Sequence, residues 1–376
     1  MNFKADRATL LKALAHIQSV AEKRNTIPIL ANALIRVKGG KLSFTATDME
    51  IAVVEEVAVV EARTDGETTA PAATLYEIVR KLPEGAEVEL EQTGGDAPLA
   101  LRSGRYATSM VTLPVEDFPS MTAGTLPHTF VLPANTLRTM IDRTRFAIST
   151  EETRYYLNGI YLHTAEGEDG RVLRAVATDG HRLARVEEPQ PEGAEGMPGV
   201  IVPRKTVAEL RKLLDEAAGE VGIGLSDTRI QFRVGSIQLT SKLIDSTFPE
   251  YERVIPKDND KVLRVENSRF ANAVGRVAAI SSERQRPVKL TLSRDLLVLS
   301  ATSPEQGSAT EELNDDVQYG SGPLEIGFQA RYLADITDQI GAEKALEFCF
   351  SDEAAPTIVR DAEDPSALYV LMPMRV

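Results

Sequence analysis

The chain has 376 residues, and its 42 Lys and Arg against 56 Asp and Glu give a formal net charge of −14. A chain of this length usually forms roughly two or three domains. The single cysteine, Cys349, excludes an internal disulfide and a Cys-rich zinc site, and it suits a reducing compartment. A charged N-terminus and the lack of any uncharged apolar run of about 18 residues disfavour secretion and membrane spanning, so we expect a cytoplasmic protein. Taken alone, the negative charge argues against a nucleic-acid binder, because phosphate binding depends on Lys and Arg.

The first predicted element is a short strand that runs directly into an amphipathic helix, and it occurs three times. Its helical stripe is clearest in the first copy, where Leu10, Leu14 and Ile17 are spaced i, i+4, i+7. The three copies lie at 3–14, 130–141 and 263–274. Helix N-caps are predicted at Asp6, at Asn135 and at either Asn267 or Ser268.

The second predicted element is an alternating strand that ends in an Ala-Thr pair followed by turn-forming residues. It lies at 42–48, 173–180 and 297–304. The third predicted element is a strand, a helix and a second strand. It lies at 69–90 in the first copy, at 200–223 in the second and at 324–348 in the third.

Because the elements recur in the same order, the sequence predicts duplicated domains and not a solenoid of short repeats. Each copy is expected to carry two helices packed on antiparallel sheets, which makes the fold class α+β. The domains are predicted at 1–123, 124–257 and 258–376, and their joins fall in turn-rich stretches near 120–127 and 256–261.

The charge is unevenly distributed over these elements. The first-helix segments 2–24, 129–149 and 262–286 carry +3, +2 and +3, whereas the second-helix segments 72–85, 203–218 and 325–345 carry 0, +1 and −2. The six segments therefore sum to +7 and leave −21 for the remainder. One explanation for the positive charge of these segments is that helix surfaces commonly carry Lys and Arg. The other is that the copies surround an axis with their helices inward, so that basic faces line a surface suited to phosphates.

Six segments, in order and spread over the whole chain, match a known family. They are IPILAN at 27–32, LPEGAE at 82–87, RYYLNG at 154–159, ATDGHRLA at 177–184, IVPRK at 201–205 and YVLMPMRV at 369–376. With these segments the chain resembles the bacterial β sliding clamps, the processivity subunits of DNA polymerase III. The resemblance implies the DNA clamp fold, with three domains of one type per chain. It also implies a head-to-tail dimeric ring whose central hole is lined by helices and encircles double-stranded DNA.

The resemblance implies that basic and polar side chains on the inner surface contact the DNA backbone without reading sequence. The matching residues are Arg24, Arg80, Arg154, Tyr155, Tyr156, Arg204 and Lys205. For one residue of the Tyr155–Tyr156 pair, packing in the core is the alternative, because adjacent strand residues face opposite sides. This sequence departs from its relatives at Ala73 and Thr74, where basic residues are frequent, and at Glu151, where a neutral amide is common.

The resemblance also implies an apolar cleft, between the second and third domains, that takes short linear motifs. Those motifs belong to the replicative polymerase α subunit, the clamp loader, other polymerases and repair proteins. The matching residues are Leu157, Thr178, Gly180, His181, Arg182, Leu183, Pro249, Val254, Val370, Leu371, Met372, Pro373 and Met374. The flexible Met side chains of the C-terminal tail suit a surface that accepts several ligands, although the inner half of the tail also reads as a last core strand.

Ring closure in this family joins the first domain of one chain to the third domain of the other. The matching residues are Thr108 and Met110 against Ala279 and Ile280. Relatives often have larger apolar groups at the first of these positions. We therefore expect polar and charged pairs to contribute to the homodimer interface.

Catalysis is the competing hypothesis at 178–182, where Asp179 and His181 lie two residues apart. One Asp and one His without further ligands make neither a zinc site nor a hydrolase site. The equivalent segments 47–50 and 302–305 indicate a recurrent turn instead, in which Asp and Gly are favoured for backbone reasons. No Gly-rich phosphate loop occurs. We expect no catalytic residue, no metal and no cofactor.

Two functional hypotheses follow from the sequence. One is a DNA-encircling ring without chemistry of its own. The other is a peptide-binding scaffold of replication or repair that forms no ring. Molecular mass in solution separates them, because a stable monomer of 41.0 kDa would favour the scaffold.

Overall fold

The computed structural model describes residues 1–21, 26–95, 97–280, 287–315 and 317–375. Within these ranges the chain forms six α-helices, two in each predicted copy, as the repeat predicts. They are α1 (Arg7–Val20), α2 (Ala72–Lys81), α3 (Ala134–Arg145), α4 (Arg204–Asp215), α5 (Asn267–Ala278) and α6 (Ala330–Thr337).

The described residues also form β-strands, all paired antiparallel. Those of the first predicted copy are β1 (Asn2–Asp6), β2 (Asn32–Lys38), β3 (Lys41–Thr47), β4 (Ile51–Val57), β5 (Glu61–Thr64), β6 (Gly66–Pro71), β7 (Glu87–Glu91), β8 (Leu99–Ser103) and β9 (Tyr106–Met110). Those of the second are β10 (His128–Pro133), β11 (Gly159–Gly167), β12 (Gly170–Thr178), β13 (Arg182–Pro189), β14 (Val200–Pro203), β15 (Glu220–Leu225), β16 (Arg229–Val234) and β17 (Ile237–Lys242). Those of the third are β18 (Lys261–Glu266), β19 (Pro287–Ser293), β20 (Leu296–Ser303), β21 (Gly307–Leu313), β22 (Gln318–Tyr319), β23 (Leu324–Gln329), β24 (Ala345–Phe350), β25 (Thr357–Asp361) and β26 (Asp364–Leu371).

The chain divides into two compact units. Unit 1 comprises Met1–Arg138, Pro191–Pro198 and Lys205–Leu243, and unit 2 comprises Thr139–Gln190, Gly199–Arg204 and Ile244–Val376. Unit 1 holds a five-stranded sheet in the order β5-β1-β7-β8-β9 and an eight-stranded sheet in the order β10-β15-β16-β17-β4-β3-β2-β6. Unit 2 holds a nine-stranded sheet, β14-β11-β12-β13-β26-β25-β24-β18-β22, and a four-stranded sheet, β21-β20-β19-β23.

Each large sheet combines strands from two predicted copies, which the sequence did not predict. In unit 1, β4 pairs with β17 from Ile51↔Ser241 to Glu55↔Ile237. In unit 2, β13 pairs with β26 from Arg182↔Leu371 to Val186↔Ala367. Backbone hydrogen bonds therefore link neighbouring copies inside each unit.

The helices pack as the apolar stripe predicts, but the predicted N-caps need correction. Leu10, Leu14 and Ile17 are fully buried. Asp6 does precede α1, without a side-chain capping hydrogen bond. Helix α3 already begins at Ala134, which places Asn135 inside it, and the residue preceding α5 is Glu266.

Asn267 has a different task from the predicted cap. Its Nδ2 donates to the carbonyl oxygen of Thr337 (2.9 Å), the last residue of α6, and to that of Ile340 (2.7 Å), just after the helix. The last carbonyls of a helix have no partner within the helix, so a buried amide nearby satisfies them. Asn267 thus stabilises the end of α6 and does not cap α5.

A buried histidine connects three elements of unit 1. Nδ1 of His16, on α1, lies 2.9 Å from Oε2 of Glu55, on β4, and Nε2 lies 3.7 Å from Glu216, just after α4. Burial lowers the pKa of His16, but the hydrogen bond that His16 donates to Glu55 and the charges of Glu55 and Glu216 outweigh it, so the pKa is raised. Lys12 completes the group with an ion pair to Glu216 at 2.8 Å.

Candidate peptide cleft and nucleic-acid interface

The turn between β12 and β13 uses its polar groups to hold its own backbone. The Thr178 hydroxyl donates to the carbonyl of Arg182 (2.7 Å), and Asp179 Oδ1 accepts the backbone N–H groups of His181 (2.9 Å) and Arg182 (3.0 Å). Gly180 has a φ of +87°, which favours glycine.

The same turn occurs between β3 and β4. The Thr47 hydroxyl donates to the carbonyl of Ile51 (2.8 Å), and Asp48 Oδ1 accepts the N–H groups of Glu50 (2.8 Å) and Ile51 (2.7 Å). Met49 takes the left-handed conformation there, with a φ of 74°. Repetition of the whole hydrogen-bond pattern supports the prediction that 178–182 is a structural turn.

Arg182 joins this turn to α6. Its Nε donates to Asp179 Oδ2 (3.1 Å), its Nη1 to Asp335 Oδ2 (2.5 Å) and its Nη2 to the carbonyl of Phe146 (2.6 Å). The guanidinium also lies 4.4 Å from the centre of the Tyr332 ring, and the side chain is only 5% exposed. That Arg182 itself contacts a peptide stays a prediction. Each nitrogen of its guanidinium already donates one hydrogen bond within the protein, so we infer that it positions the turn.

Three of the predicted cleft residues, Leu157, Leu183 and Val370, belong to one buried hydrophobic cluster of unit 2. Leu371 is also buried, on the last strand, where it pairs with Arg182. We refer to these four buried apolar side chains as the floor. The inner half of the C-terminal tail is thus a core strand, as the alternative reading of the tail expected.

Other predicted cleft residues are exposed, and we refer to them as the rim. Val254 is 50% exposed and Met372 is 41% exposed, and His181 and Pro249 are exposed as well. The tail is held in place because the N–H of Met372 donates to the carbonyl of His181 at 2.9 Å. The remaining predicted cleft residues, Thr178, Pro373 and Met374, are half-buried, and Gly180 is exposed.

The prediction omitted two aromatic residues of the same cluster. Phe248 and Tyr251 are buried beside Leu157 and Leu183. The ring of Phe248 stacks on Tyr161 with 4.8 Å between centres and an interplanar angle of 5°. The available signal was the Phe-Pro pair at 248–249, which repeats the pair at 118–119.

The predicted DNA-contacting residues on helices are exposed, and some are ion-paired. The side chain of Arg80 is 53% exposed and bonds Glu77 at 2.7 Å. Arg204 is exposed at the start of α4. Lys205 is paired through its Nζ with Asp48, whose side chain is 4% exposed. Arg24 lies outside the described residues.

Arg154, Tyr155 and Tyr156 lie in the 3₁₀ helix Glu152–Leu157 and not on a strand. Tyr155 is 55% exposed, whereas Tyr156 is half-buried and packs against the buried cluster. Arg154 Nε lies 3.1 Å from Glu151 Oε2. The acidic residue that departs from the relatives is therefore in direct contact with a predicted phosphate ligand.

The predicted ring-interface residues differ in exposure. Thr108 is half-buried on β9, Ala279 is exposed and Ile280 is half-buried. Met110 is only 6% exposed and offers little surface to a partner, so its place in the interface stays a prediction. Tyr106, on the same strand, is 43% exposed.

A groove of about 610 Å³ runs beside Tyr106 and along α2. It is lined by Ala73, Thr74, Glu77, Ile78, Lys81, Leu82, Pro83 and Tyr106. Ala73 and Thr74, the two departures from the relatives' basic residues, thus line a largely apolar groove.

Within 1–21, 26–95, 97–280, 287–315 and 317–375, no group of three or more His, Cys, Asp or Glu side chains is arranged to hold a metal ion. None of the helices formed by these residues is long and apolar enough to cross a membrane.

Three successive regions of the chain match the DNA polymerase III beta subunit. Residues 1–122 match its N-terminal domain, residues 131–250 its central domain and residues 252–375 its C-terminal domain. The chain belongs to this family.

Known relatives are similar over the full length. The beta sliding clamp of Caulobacter vibrioides (strain NA1000 / CB15N) is 51% identical over 376 residues, which is all of both chains. The crystal structure of the C. crescentus beta sliding clamp has a TM-score of 0.96 and 50% identity, covering 100% of this chain and 99% of that one. The sliding clamp of Bartonella birtlesii, solved bound to griselimycin, has a TM-score of 0.94 and 47% identity over all of both chains.

Proposed function

We propose that this chain is a DNA sliding clamp: two copies close head to tail around duplex DNA and tether a polymerase to it without catalysing a reaction. The observation that carries the proposal is the match of all three regions, over the full length, to the DNA polymerase III beta subunit. Its expected place of work is the cytoplasm, with the replication machinery.

The distribution of charge supports a phosphate-facing role for the helices. Helices α1 to α6 contain 14 basic and five acidic residues, a net charge of +9. Since the chain totals −14, everything else carries −23. Helices that face a DNA backbone gain from this surplus, while an acidic remainder repels it. Sequence-independent contact is what a sliding ring requires, because base-specific bonds would halt it.

Two edge strands support head-to-tail closure. Strand β9 is an edge strand of the five-stranded sheet in unit 1, and β21 is an edge strand of the four-stranded sheet in unit 2. Exposed sheet edges are a template for pairing with another chain. Arg105 is exposed at the turn into β9, and Glu312 is exposed on β21. We propose that β9 of one copy meets β21 of the other, with these opposite charges near each other.

Charge reversal tests this closure. Arg105→Glu alone and Glu312→Arg alone should each weaken the dimer in light scattering, and the double variant should recover most of the loss. Monomers of 41.0 kDa for the wild type at micromolar concentration would contradict the ring and favour the scaffold.

Topological retention tests the ring directly. A closed ring should stay on nicked circular DNA and leave quickly after the circle is cut, because linear DNA offers an end. Equal loss from both substrates would contradict the proposal.

We further propose that the floor and rim described above form a peptide cleft that binds polymerases, the clamp loader and repair proteins. Griselimycin, found bound to the B. birtlesii relative, is the probe. Removing 372–376 should abolish griselimycin binding and leave the dimer intact, because Met372 to Met374 lie beyond the last residue of β26. Removing 375–376 alone is the matched control and should retain binding.

A further inference from the structure

The segment 248–254 carries two rim residues of the proposed cleft, Pro249 and Val254, yet it is not part of a sheet. Its only regular structure is the single 3₁₀ turn Tyr251–Arg253. Local hydrogen bonds join the N–H of Tyr251 to the carbonyl of Pro249 (2.7 Å) and the N–H of Val254 to the carbonyl of Tyr251 (3.1 Å). These bonds shape the segment but do not attach it to the rest of unit 2, so the attachment must come from side chains.

Arg174 attaches the 248–254 segment to the large sheet. It projects from β12 with a side chain only 8% exposed. Its Nη1 donates to the Tyr251 hydroxyl (3.2 Å) and to Glu252 Oε1 (2.6 Å), and its Nε donates to Glu187 Oε1 (2.7 Å) on β13. Its Nη2 donates to the carbonyl of Glu166 at 3.1 Å. The buried guanidinium of Arg174, which is carried by β12, thus connects the segment to β11 through Glu166 and to β13 through Glu187.

His163 completes the attachment, and its protonation state follows from its partners. Nδ1 lies 3.1 Å from the carbonyl oxygen of Thr164, which only accepts, so Nδ1 carries the hydrogen. In the neutral ring Nε2 is then an acceptor, and the Tyr251 hydroxyl at 3.0 Å donates to it. The same hydroxyl oxygen accepts from Arg174. Both ring nitrogens of His163 and the Tyr251 hydroxyl thus have partners of the correct type.

We propose that Arg174, acting through Tyr251 and Glu252, is the positioning residue for the 248–254 wall of the peptide cleft. The inference rests on the proposed peptide-binding function of that cleft. A preorganised wall lets a peptide bind without first ordering the segment, whereas a loosened wall adds that entropic cost to binding. Tyr251 transmits the constraint, since its ring lies in the same buried cluster as Leu157 and Leu183, while its hydroxyl reaches Arg174.

The protonation of His163 should make the positioning of the 248–254 segment by Arg174 depend on pH. Burial and the charge of Arg174 lower the pKa of His163 from its ordinary value, although the hydrogen bond to the Thr164 carbonyl and the charges of Glu252 and Glu187 oppose the shift. Protonation would place a second cation beside Arg174 and remove the acceptor of the Tyr251 hydroxyl. Acid should therefore loosen the wall and weaken peptide binding. A residue that only supports the fold would not produce this pH profile.

The test measures griselimycin affinity and retention on nicked circular DNA for the full chain. Tyr251→Phe should weaken griselimycin about fivefold, and Glu252→Gln about two- to threefold, because the Glu252 side chain is 65% exposed and its ion pair is screened. Arg174→Met should weaken binding about tenfold or more, and Arg174→Lys should recover part of that loss. Retention on DNA should not change. The matched control is Arg171→Gln, on the same strand, where Arg171 is 65% exposed and should have no effect on affinity.

The pH arm compares the wild type with His163→Gln, which keeps an acceptor near the position of Nε2 but does not titrate. The wild type should lose affinity severalfold as the pH falls through the lowered pKa of His163, and the variant should give a flat profile. If Arg174→Met does not fold, Tyr251→Phe and Glu252→Gln decide the question. Wild-type affinity in both of them, or an unchanged acid loss in His163→Gln, overturns the inference alone. A wild-type chain that fails to bind griselimycin overturns the cleft and this inference with it.

Discussion

Replacing Arg182 by Gln should destabilise unit 2 and not merely remove a ligand contact. The change removes a guanidinium that is 5% exposed and leaves Asp179 and Asp335 without their cation. Breaking a buried ion pair by deleting one partner costs about 3–5 kcal/mol. The side chains of Asp179 and Asp335 are 18% and 27% exposed, so water would partly solvate them and the lower end of that range applies. The contact with the Tyr332 ring adds about 0.5–1 kcal/mol.

We therefore expect a loss of about 3.5–4 kcal/mol in the free energy of unfolding. For a unit of roughly 190 residues, that loss lowers the melting temperature by about 7–16 °C. Urea unfolding followed by circular dichroism, with a thermal melt alongside, measures both quantities. Arg171→Gln is the control, because both side chains of its ion pair with Glu166 are exposed. If Arg182→Gln unfolds like the wild type and only griselimycin binding falls, the positioning role is refuted and the sequence prediction of a ligand contact is supported.

Three further predictions use other parts of the chain. Glu151→Gln should release Arg154 and raise DNA affinity, with the salt dependence steepened by about one phosphate contact; an unchanged slope in a salt titration would contradict this. Because folding raises the pKa of His16, the stabilisation from its contact with Glu55 is complete below about pH 6.5 and is lost as pH rises through the folded-state pKa. Urea unfolding between pH 5.5 and 8.5 should show this decline in the wild type and a flatter profile in His16→Gln. Removing 372–376 should abolish stimulation of the polymerase while retention on circular DNA persists; processive synthesis by the truncated chain would show that the cleft is wrongly assigned.

Local pattern was sufficient to predict the elements of this fold. The apolar stripe of Leu10, Leu14 and Ile17 gave α1, and the repeated Thr-Asp turn was recognisable because its hydrogen bonds connect residues at most four apart in sequence. The resemblance added a cleft whose apolar members, Leu157 and Leu183, do lie in one cluster.

Long-range partners were not predictable from local pattern. Nothing near β4 in sequence indicates that its partner is β17, since strand periodicity fixes which face is buried and not which strand lies beside it. The role of Arg182 depends on Asp335, 153 residues away, and the burial of Met110 depends on its neighbours in the folded unit. From sequence alone, a single arginine or methionine on the surface cannot be distinguished from one in the core, because its neighbours in the folded chain are not known.

The pairing of β4 with β17 has a consequence for how the chain is made. The edge of β4 is complete only when β17 has been synthesised, about 180 residues later. At roughly 5–20 residues per second, that edge stays open for roughly 10–40 s during translation. Open strand edges promote pairing with other chains. The exposed acidic residue of β4, Glu56, lies on this strand during the interval and opposes such pairing with acidic chains by charge repulsion.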